Sequence, residues 1–600
     1  MTKTRAQGAL AGAALAGLPG VAAVLGVELV NPAFVDLPFL VWALAVAAPG
    51  ALGAAIGAVV KAPARRWPAA LALTSAAAVF GAGIDDGVRP IEGLELLVVG
   101  IDGVTWKEVD PLVAKGDLQT LDRLRKEGAS GTMKAHEPLF SPLLWASLGT
   151  GFDPEQHGIR GFKVHATDTR VPRFFDIAEY GASKRIGMYK WLVTWPPREL
   201  EHGGFMVPAW LAPSPETAPP ELSFIKEIEL SRRLKRQRTV ATRSAAELGW
   251  EGITHGFRFS TAASAAVWSL RERFTRPREE DRERDLNFLR AAMDHDVFLW
   301  SMRHYQPSVA SFTYYQTDAL GHVFWKYHEP EKFPGVPPDM VAEYGEAVRD
   351  AYRQSDAFLA TFLRLVPEGG RVVVVSDHGF QALDERTGAL ASPKTGHLEQ
   401  RLNAEVGPIQ IARVGTKITL VPDCADGAPP ECAPDLRARA LTWVEGRIQK
   451  STGETLYKWE PVPDDPNALA IKLRQEHLPE SLLTTDTVDG EPLSEWVGKN
   501  EHYSGDHDPY GIFVAWGPGV TPGATANVDI LDVAPTLLAA IGLPKGADMV
   551  GTVPDSVWDA PPPGPSWAPI MNKLKYPGQA PKEDDVNTEM LEALGYIEEQ

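Results

Sequence analysis

The stretch RVVVVSDHGF, Arg371 to Phe380, decides the fold class. Four consecutive valines read as a strand buried on both faces, as in a parallel sheet covered by helices. Ser376, Asp377, His378 and Gly379 then break the apolar run. A carboxylate and an imidazole at the end of so hydrophobic a strand are costly to desolvate unless something pairs with them. Two other stretches repeat the pattern: LELLVVGIDG (94–103) is a strand ending in Asp102, and PSVASFTYY (307–315) begins a strand read as ending at Asp318. KRIGMYKW and YGIFVAWGPGV (510–520) supply two more, the latter shortly after His507, while DLQTLDRLRKEG has helical spacing and a glycine stop. Strands alternating with helical stretches predict an α/β fold with a mostly parallel sheet. The carboxyl ends of such strands form one edge, where ligands bind, so these polar residues are expected to converge there.

Composition frames that expectation. The chain has 600 residues, 44% hydrophobic and 23% charged, which is globular and long enough for a large core. Its net charge of −19 is uneven: residues 1–84 carry Lys3, Arg5, Lys61, Arg65 and Arg66 against Glu28 and Asp36, a balance of +3, which leaves −22 for the rest. A surface that acidic argues against nucleic acid as a partner.

The N-terminal segment differs in kind. Residues 6–27, 37–60 and 67–84 contain no charge and are dominated by Ala, Leu, Val and Gly. About 20 apolar residues cross a bilayer, so residues 1–90 are expected to be a membrane anchor of three transmembrane helices, against the alternatives of a cleaved signal peptide or buried Ala-rich helices. Lys3, Arg5 and the KAPARR stretch flank alternate ends, which predicts a cytoplasmic N-terminus. The rest of the chain then lies on the outer, periplasmic side of the cell inner membrane. Cys424 and Cys432, the only cysteines, lie in a short Pro/Gly loop that suits a disulfide in that compartment, with two free thiols as the alternative.

Beyond the anchor, residues 91–545 are expected to form a catalytic domain and 546–600 a C-terminal extension. Insertions near 212–300 and 397–500 read as a cap or side domain, or equally as solvated surface helices and loops.

The nucleophile candidate lies in LFSPLLWASLGTG (139–151). Ser141 precedes Pro142 and an apolar run, so it fits a helix N-cap with Pro at the first helical position. A helix N-terminus also favours an alkoxide or a phosphate oxygen, which keeps a nucleophilic role open.

Five stretches in order, VVGIDG, SPLLWASLGTGFDPEQHGI, TDALGH, VVVVSDHGF and GDHDPYGIFVAWGPG, resemble the type I phosphodiesterase/nucleotide pyrophosphatase family of the alkaline phosphatase superfamily, in its bacterial membrane-anchored branch. The resemblance covers about 94–210, 285–395 and 500–545. It implies an alkaline-phosphatase-like sheet sandwiched by helices and two divalent metal ions, Zn2+ or Mn2+. Asp102, Asp377 and His378 would hold one ion beside Ser141, and Asp318, His322 and His507 the other. Asp318 and His322 are four apart, on one face of a helix beginning after the strand. The implied chemistry is transfer of a phosphoryl group to Ser141, giving a covalent phosphoseryl intermediate that water resolves. His157 matches the family motif with a structural role, and His136, His165, His255, His397 and His502 read as ordinary surface or core residues. Eukaryotic members carry an asparagine three residues after the nucleophile, where this chain has Leu144 followed by Trp145. That departure leaves nucleotide specificity less supported than the metal site. Sulfatases carry a modified Cys or Ser before x-P-x-R, which SPLLW lacks.

Three functions are compatible with these residues: a hydrolase of phosphate esters, a transferase of phospho-headgroups between membrane components, and a catalytically inactive envelope binding protein. Every expected ligand position is filled, which disfavours the last.

Overall fold

The computed structural model of the chain describes residues 87–577, apart from 138, 163, 232–242, 276, 334, 384–389, 415–416, 425–428, 463–464, 476–479 and 501–503. The three expected membrane spans lie outside the described residues. Among the described residues no helix is long and apolar enough to cross a membrane.

Eight strands make the main sheet: β1 (Leu96–Ile101), β2 (Ala129–Lys134), β3 (Ile186–Tyr189), β4 (Gly204–Val207), β5 (Val309–Tyr314), β6 (Arg371–Val375), β7 (Tyr510–Trp516) and β8 (Val528–Asp529). Their order is β8-β2-β7-β6-β1-β5-β3-β4. β1 pairs in parallel with both β5 and β6, and only β7 runs antiparallel to its neighbours. The apolar sequences explain the arrangement: every residue of β1 and β5, and all four valines of β6, are buried, as central strands covered on both faces must be. Parallel strands need long crossovers, and the helices Glu279–Tyr305, before β5, and Ala347–Leu363, before β6, provide them. The fold is thus α/β, with a large, mostly parallel central sheet flanked by helices.

Register fixes where the polar residues fall. Leu96 of β1 stands opposite both Val309 and Arg371, and Gly100 opposite Thr313 and Val375. Asp102, the loop after Tyr314 and the Ser376–His378 stretch therefore leave one edge in a row. β5 stops at Tyr314, not at Asp318. The chain turns at once into a helix, α2 (Gln316–His328), and Asp318 lies in its first turn.

The described chain divides into two compact units. The first contains the main sheet. The second holds Gly321–Glu346 and Gln381–Asp506, and has an antiparallel sheet in the order Tyr457–Val462, Asp465–Leu473, Lys417–Pro422, Ile409–Val414. Its own core includes Leu402, Ile418, Trp443, Leu469 and Trp496. Cys424 and Cys432 are joined there as a disulfide, with Cα atoms 6.3 Å apart.

Candidate active site

Asp102 directly follows β1, and its backbone N–H donates to Tyr314 O at 2.8 Å. The Thr317 hydroxyl donates to the Asp102 carbonyl, tying the start of α2 to the end of β1. After β6 the Ser376 hydroxyl donates to the His378 carbonyl at 2.5 Å and accepts from Val104 N–H at 2.9 Å, which folds the SDHG turn back against the residues after β1. These local bonds bring Asp102, Asp377 and His378 together, all buried, with one ligand atom from each within 4.8 Å of the others. His378 Nε2 is 3.3 Å from Asp102 Oδ1 and 3.5 Å from Asp377 Oδ2.

Asp318, His322 and His507 form a second such group. Asp318 Oδ1 is 3.2 Å from His507 Nε2. His322 lies one turn beyond Asp318 on α2. His507 arrives by another route. It precedes β7, which runs against β6, so the amino end of β7 meets the carboxyl end of its neighbour. The His378 and His507 rings stack with centroids 3.8 Å apart, and His378 Nε2 is 3.9 Å from Asp318 Oδ1, so the two groups adjoin.

All three histidines share one orientation. Nδ1 lies 2.9 Å from the Gly379 carbonyl oxygen in His378, 2.7 Å from that of Leu139 in His507, and 3.1 Å from that of Gly505 in His322. A carbonyl only accepts, so each Nδ1 carries a proton, and in the neutral form the Nε2 lone pairs of His378 and His507 face carboxylate oxygens. Lone pairs facing carboxylates repel unless a cation lies between them. Outer carbonyls that fix the imidazole tautomer are the usual second layer of a metal site.

The carboxylates point the same way. Asp102 Oδ1 and both side-chain oxygens of Asp377 are buried without a partner at hydrogen-bonding geometry. Burial, then the charge of Asp318, push the Asp102 carboxyl above its ordinary range, against the opposing pull of His378 and Trp145. Burial, then Asp102 and Asp318, push Asp377 well above it, and nearby backbone amides of Asp377 and Gly103 oppose this. Carboxylates so crowded are disfavoured as anions unless a cation compensates. Oxygen and imidazole donors with open valences fit a divalent ion such as Zn2+ or Mn2+.

Ser141 is the first residue of α1 (Ser141–Thr150). The N-cap expectation is corrected by one position: Phe140 occupies the cap, and it makes no side-chain capping bond. The serine hydroxyl is instead turned inward, with Oγ 3.4 Å from His378 Nε2. Pro142 falls early enough in the helix that its missing N–H costs no internal bond.

Sequence reasoning missed the supporting residues. Trp145 Nε1–H donates to Asp102 Oδ2 at 3.1 Å. The SPLLW spacing was a signal, since Ser141 and Trp145 are one helical turn apart. Leu139 offers only a backbone carbonyl, which no side-chain pattern announces. His157 and His136 do not join the groups: both lie 2.9 Å from Ser147 Oγ, and burial, then His136, hold His157 down to about 4.

Two carboxylate–imidazole groups and a serine thus meet on the carboxyl edge of a mostly parallel α/β sheet, the kind of residue set that metal-dependent hydrolases use. Residues 96–412, over half of the chain, match the model of the family described as type I phosphodiesterase / nucleotide pyrophosphatase. The chain belongs to that family. No curated relative matches the sequence. Among solved structures, phosphonoacetate hydrolase from Sinorhizobium meliloti 1021 in complex with phosphonoacetate is similar at 15% identity with a TM-score of 0.37, over 76% of this chain and 95% of the other. The same enzyme in complex with phosphonoformate gives the same values. A likeness that distant carries no weight for the activity of this chain.

Proposed function

We propose that this chain is a hydrolase of phosphate esters of the phosphodiesterase/nucleotide pyrophosphatase type, acting through a phosphoseryl intermediate on Ser141 and using two divalent ions. The observation that carries the reading is the set of three histidines, each fixed at Nδ1 by a backbone carbonyl and each grouped with buried carboxylates. Asp102, Asp377 and His378 would hold one ion, and Asp318, His322 and His507 the other. Bound there, such ions supply Lewis-acid charge for a phosphoryl oxygen and lower the pKa of a neighbouring hydroxyl.

The chain's own residues do the rest. Ser141 presents its hydroxyl from the first position of α1, where backbone N–H groups without helical partners favour a developing oxyanion. His378 holds Nε2 toward that hydroxyl by donating Nδ1–H to Gly379. Leu139, two residues before Ser141, orients His507 with its carbonyl, so the nucleophile's loop and the second group are built together.

In this reading the main sheet is of the alkaline phosphatase type. Residues 1–90 tether the chain to the inner membrane and residues 91–545 act on its periplasmic side, for which the Cys424–Cys432 disulfide is the supporting observation. The test is a panel of phosphate mono- and diesters offered to the full-length chain with Zn2+ or Mn2+. Turnover of at least one ester, abolished in Asp377→Asn, is expected. No turnover of any ester by metal-loaded protein would defeat the reading.

A further inference from the structure

Trp145 shows what organises Asp102. Its indole N–H donates to Asp102 Oδ2 at 3.1 Å, and both side chains are buried. Oδ1, the oxygen left over, has no hydrogen-bond partner and lies 3.3 Å from His378 Nε2. The terminal torsion of an aspartate is broad, so the Trp145 bond at Oδ2 helps to fix it.

The ring's place is itself built. Trp191 packs edge-on against Trp145, with centroids 5.0 Å apart. On β1, two residues before Asp102, stands Gly100: a Cβ there would lie 2.4 Å from Trp145 Cη2 and 2.8 Å from Cζ3. A side chain at that position would push the indole from its seat. Glycine weakens a central strand, so its presence here answers a close approach.

We infer that Trp145 is a positioning residue that makes Asp102 a one-oxygen ligand, with Gly100 as the notch that admits it. The inference rests on the metal-binding reading of the two groups. Trp145 is fully buried and spends its N–H on the carboxylate, so its loss acts on metal affinity first. Trp145→Phe keeps most of the ring and removes the N–H. Affinity for the ion at this group should fall about 10–100-fold, the usual cost of losing an outer partner of a ligand.

Metal-stripped full-length wild type and Trp145→Phe are titrated with Zn2+ by calorimetry, and the rise in Tm on adding Zn2+ is read on the same samples. The expected result is one weakened binding step and a smaller Tm rise in the variant, with kcat at saturating Zn2+ changing less than affinity. A folded variant that matches wild type in both readouts overturns the inference while leaving the metal reading standing. Wild type that binds no Zn2+ defeats both. Should Trp145→Phe not fold, wild type with 15N-labelled tryptophan carries the test. An indole N–H resonance that moves as Zn2+ is added supports the inference, and none moving overturns it.

Discussion

His507 Nδ1 lies 2.7 Å from the Leu139 carbonyl oxygen, so the loop that delivers Ser141 also fixes the tautomer of a candidate ligand in the other group. Loss of the His507 ring therefore also removes a contact from the loop that delivers Ser141. His507→Ala should lower the affinity for one ion by more than the roughly 10–100-fold that loss of an outer-shell partner costs. Metal content by elemental analysis, read beside activity, checks this; unchanged stoichiometry with full activity would mean that His507 is not a ligand.

Asp318→Asn and Asp377→Asn each replace a carboxylate that faces a histidine Nε2. Both variants should lose most of the activity. Asp377→Asn should also stabilise the metal-free protein, because it removes a buried carboxylate whose pKa burial, Asp102 and Asp318 push up. Thermal melts in chelator decide that point, and a lower Tm for the variant than for wild type would contradict it.

Chelation should lower activity and Tm together. An ion that binds only the folded chain adds about 2.7 kcal/mol at a free concentration 100 times its Kd. Restoring the metal should restore both. A Tm indifferent to chelator and metal would contradict the site.

Away from the site, Glu229 accepts hydrogen bonds from Lys190 at 2.5 Å and from Lys226 at 2.6 Å, with all three buried or nearly so. Burial alone would raise its carboxyl, yet Lys190 and Lys226 hold it down to about 2. Its folded pKa is depressed below 4.5, so its stabilisation is present above pH 4.5 and is lost as pH falls from there through about 2. Glu229→Gln should cost about 3–5 kcal/mol at neutral pH, as a broken buried pair does, and should flatten the acid limb of Tm against pH. An unchanged acid limb would show that Glu229 is not the group responsible.

Much of the fold and the candidate site was legible because β1, β5 and β6 advertise themselves as runs of buried apolar residues that stop at polar ones. The four-residue step from Asp318 to His322 likewise needs only a helix. The strand's direction was hidden. An apolar run does not say which way it points, so the antiparallel course of β7, which brings His507 to the edge from its amino end, had to come from pairing. The one-residue shift at Ser141 has a similar cause: Pro is tolerated at either of the first two helical positions, so it does not choose between Ser141 and Phe140 as cap. The indole bond of Trp145 depends on Gly100, 45 residues away, and no local pattern links them.

The Cys424–Cys432 disulfide closes a loop of sequence separation 8 in the second unit. A loop of that size contributes about 2.5 kcal/mol in the chain-entropy account. The Cys424→Ser/Cys432→Ser variant should therefore melt earlier while its kcat stays near wild type. Maleimide labelling of the unreduced, denatured chain should find no thiol; two labelled cysteines would remove the argument for an oxidising compartment.

The most direct test of the central claim is mass spectrometry of enzyme quenched at low pH during turnover of a phosphate ester. A phosphoryl adduct is predicted on the peptide that contains Ser141, absent in Ser141→Ala. That variant should keep its fold and metals, since Phe140 and not Ser141 holds the cap position. Wild-type turnover by Ser141→Ala, with no adduct in either protein, would contradict the covalent route and leave the two carboxylate–histidine groups to work with water alone.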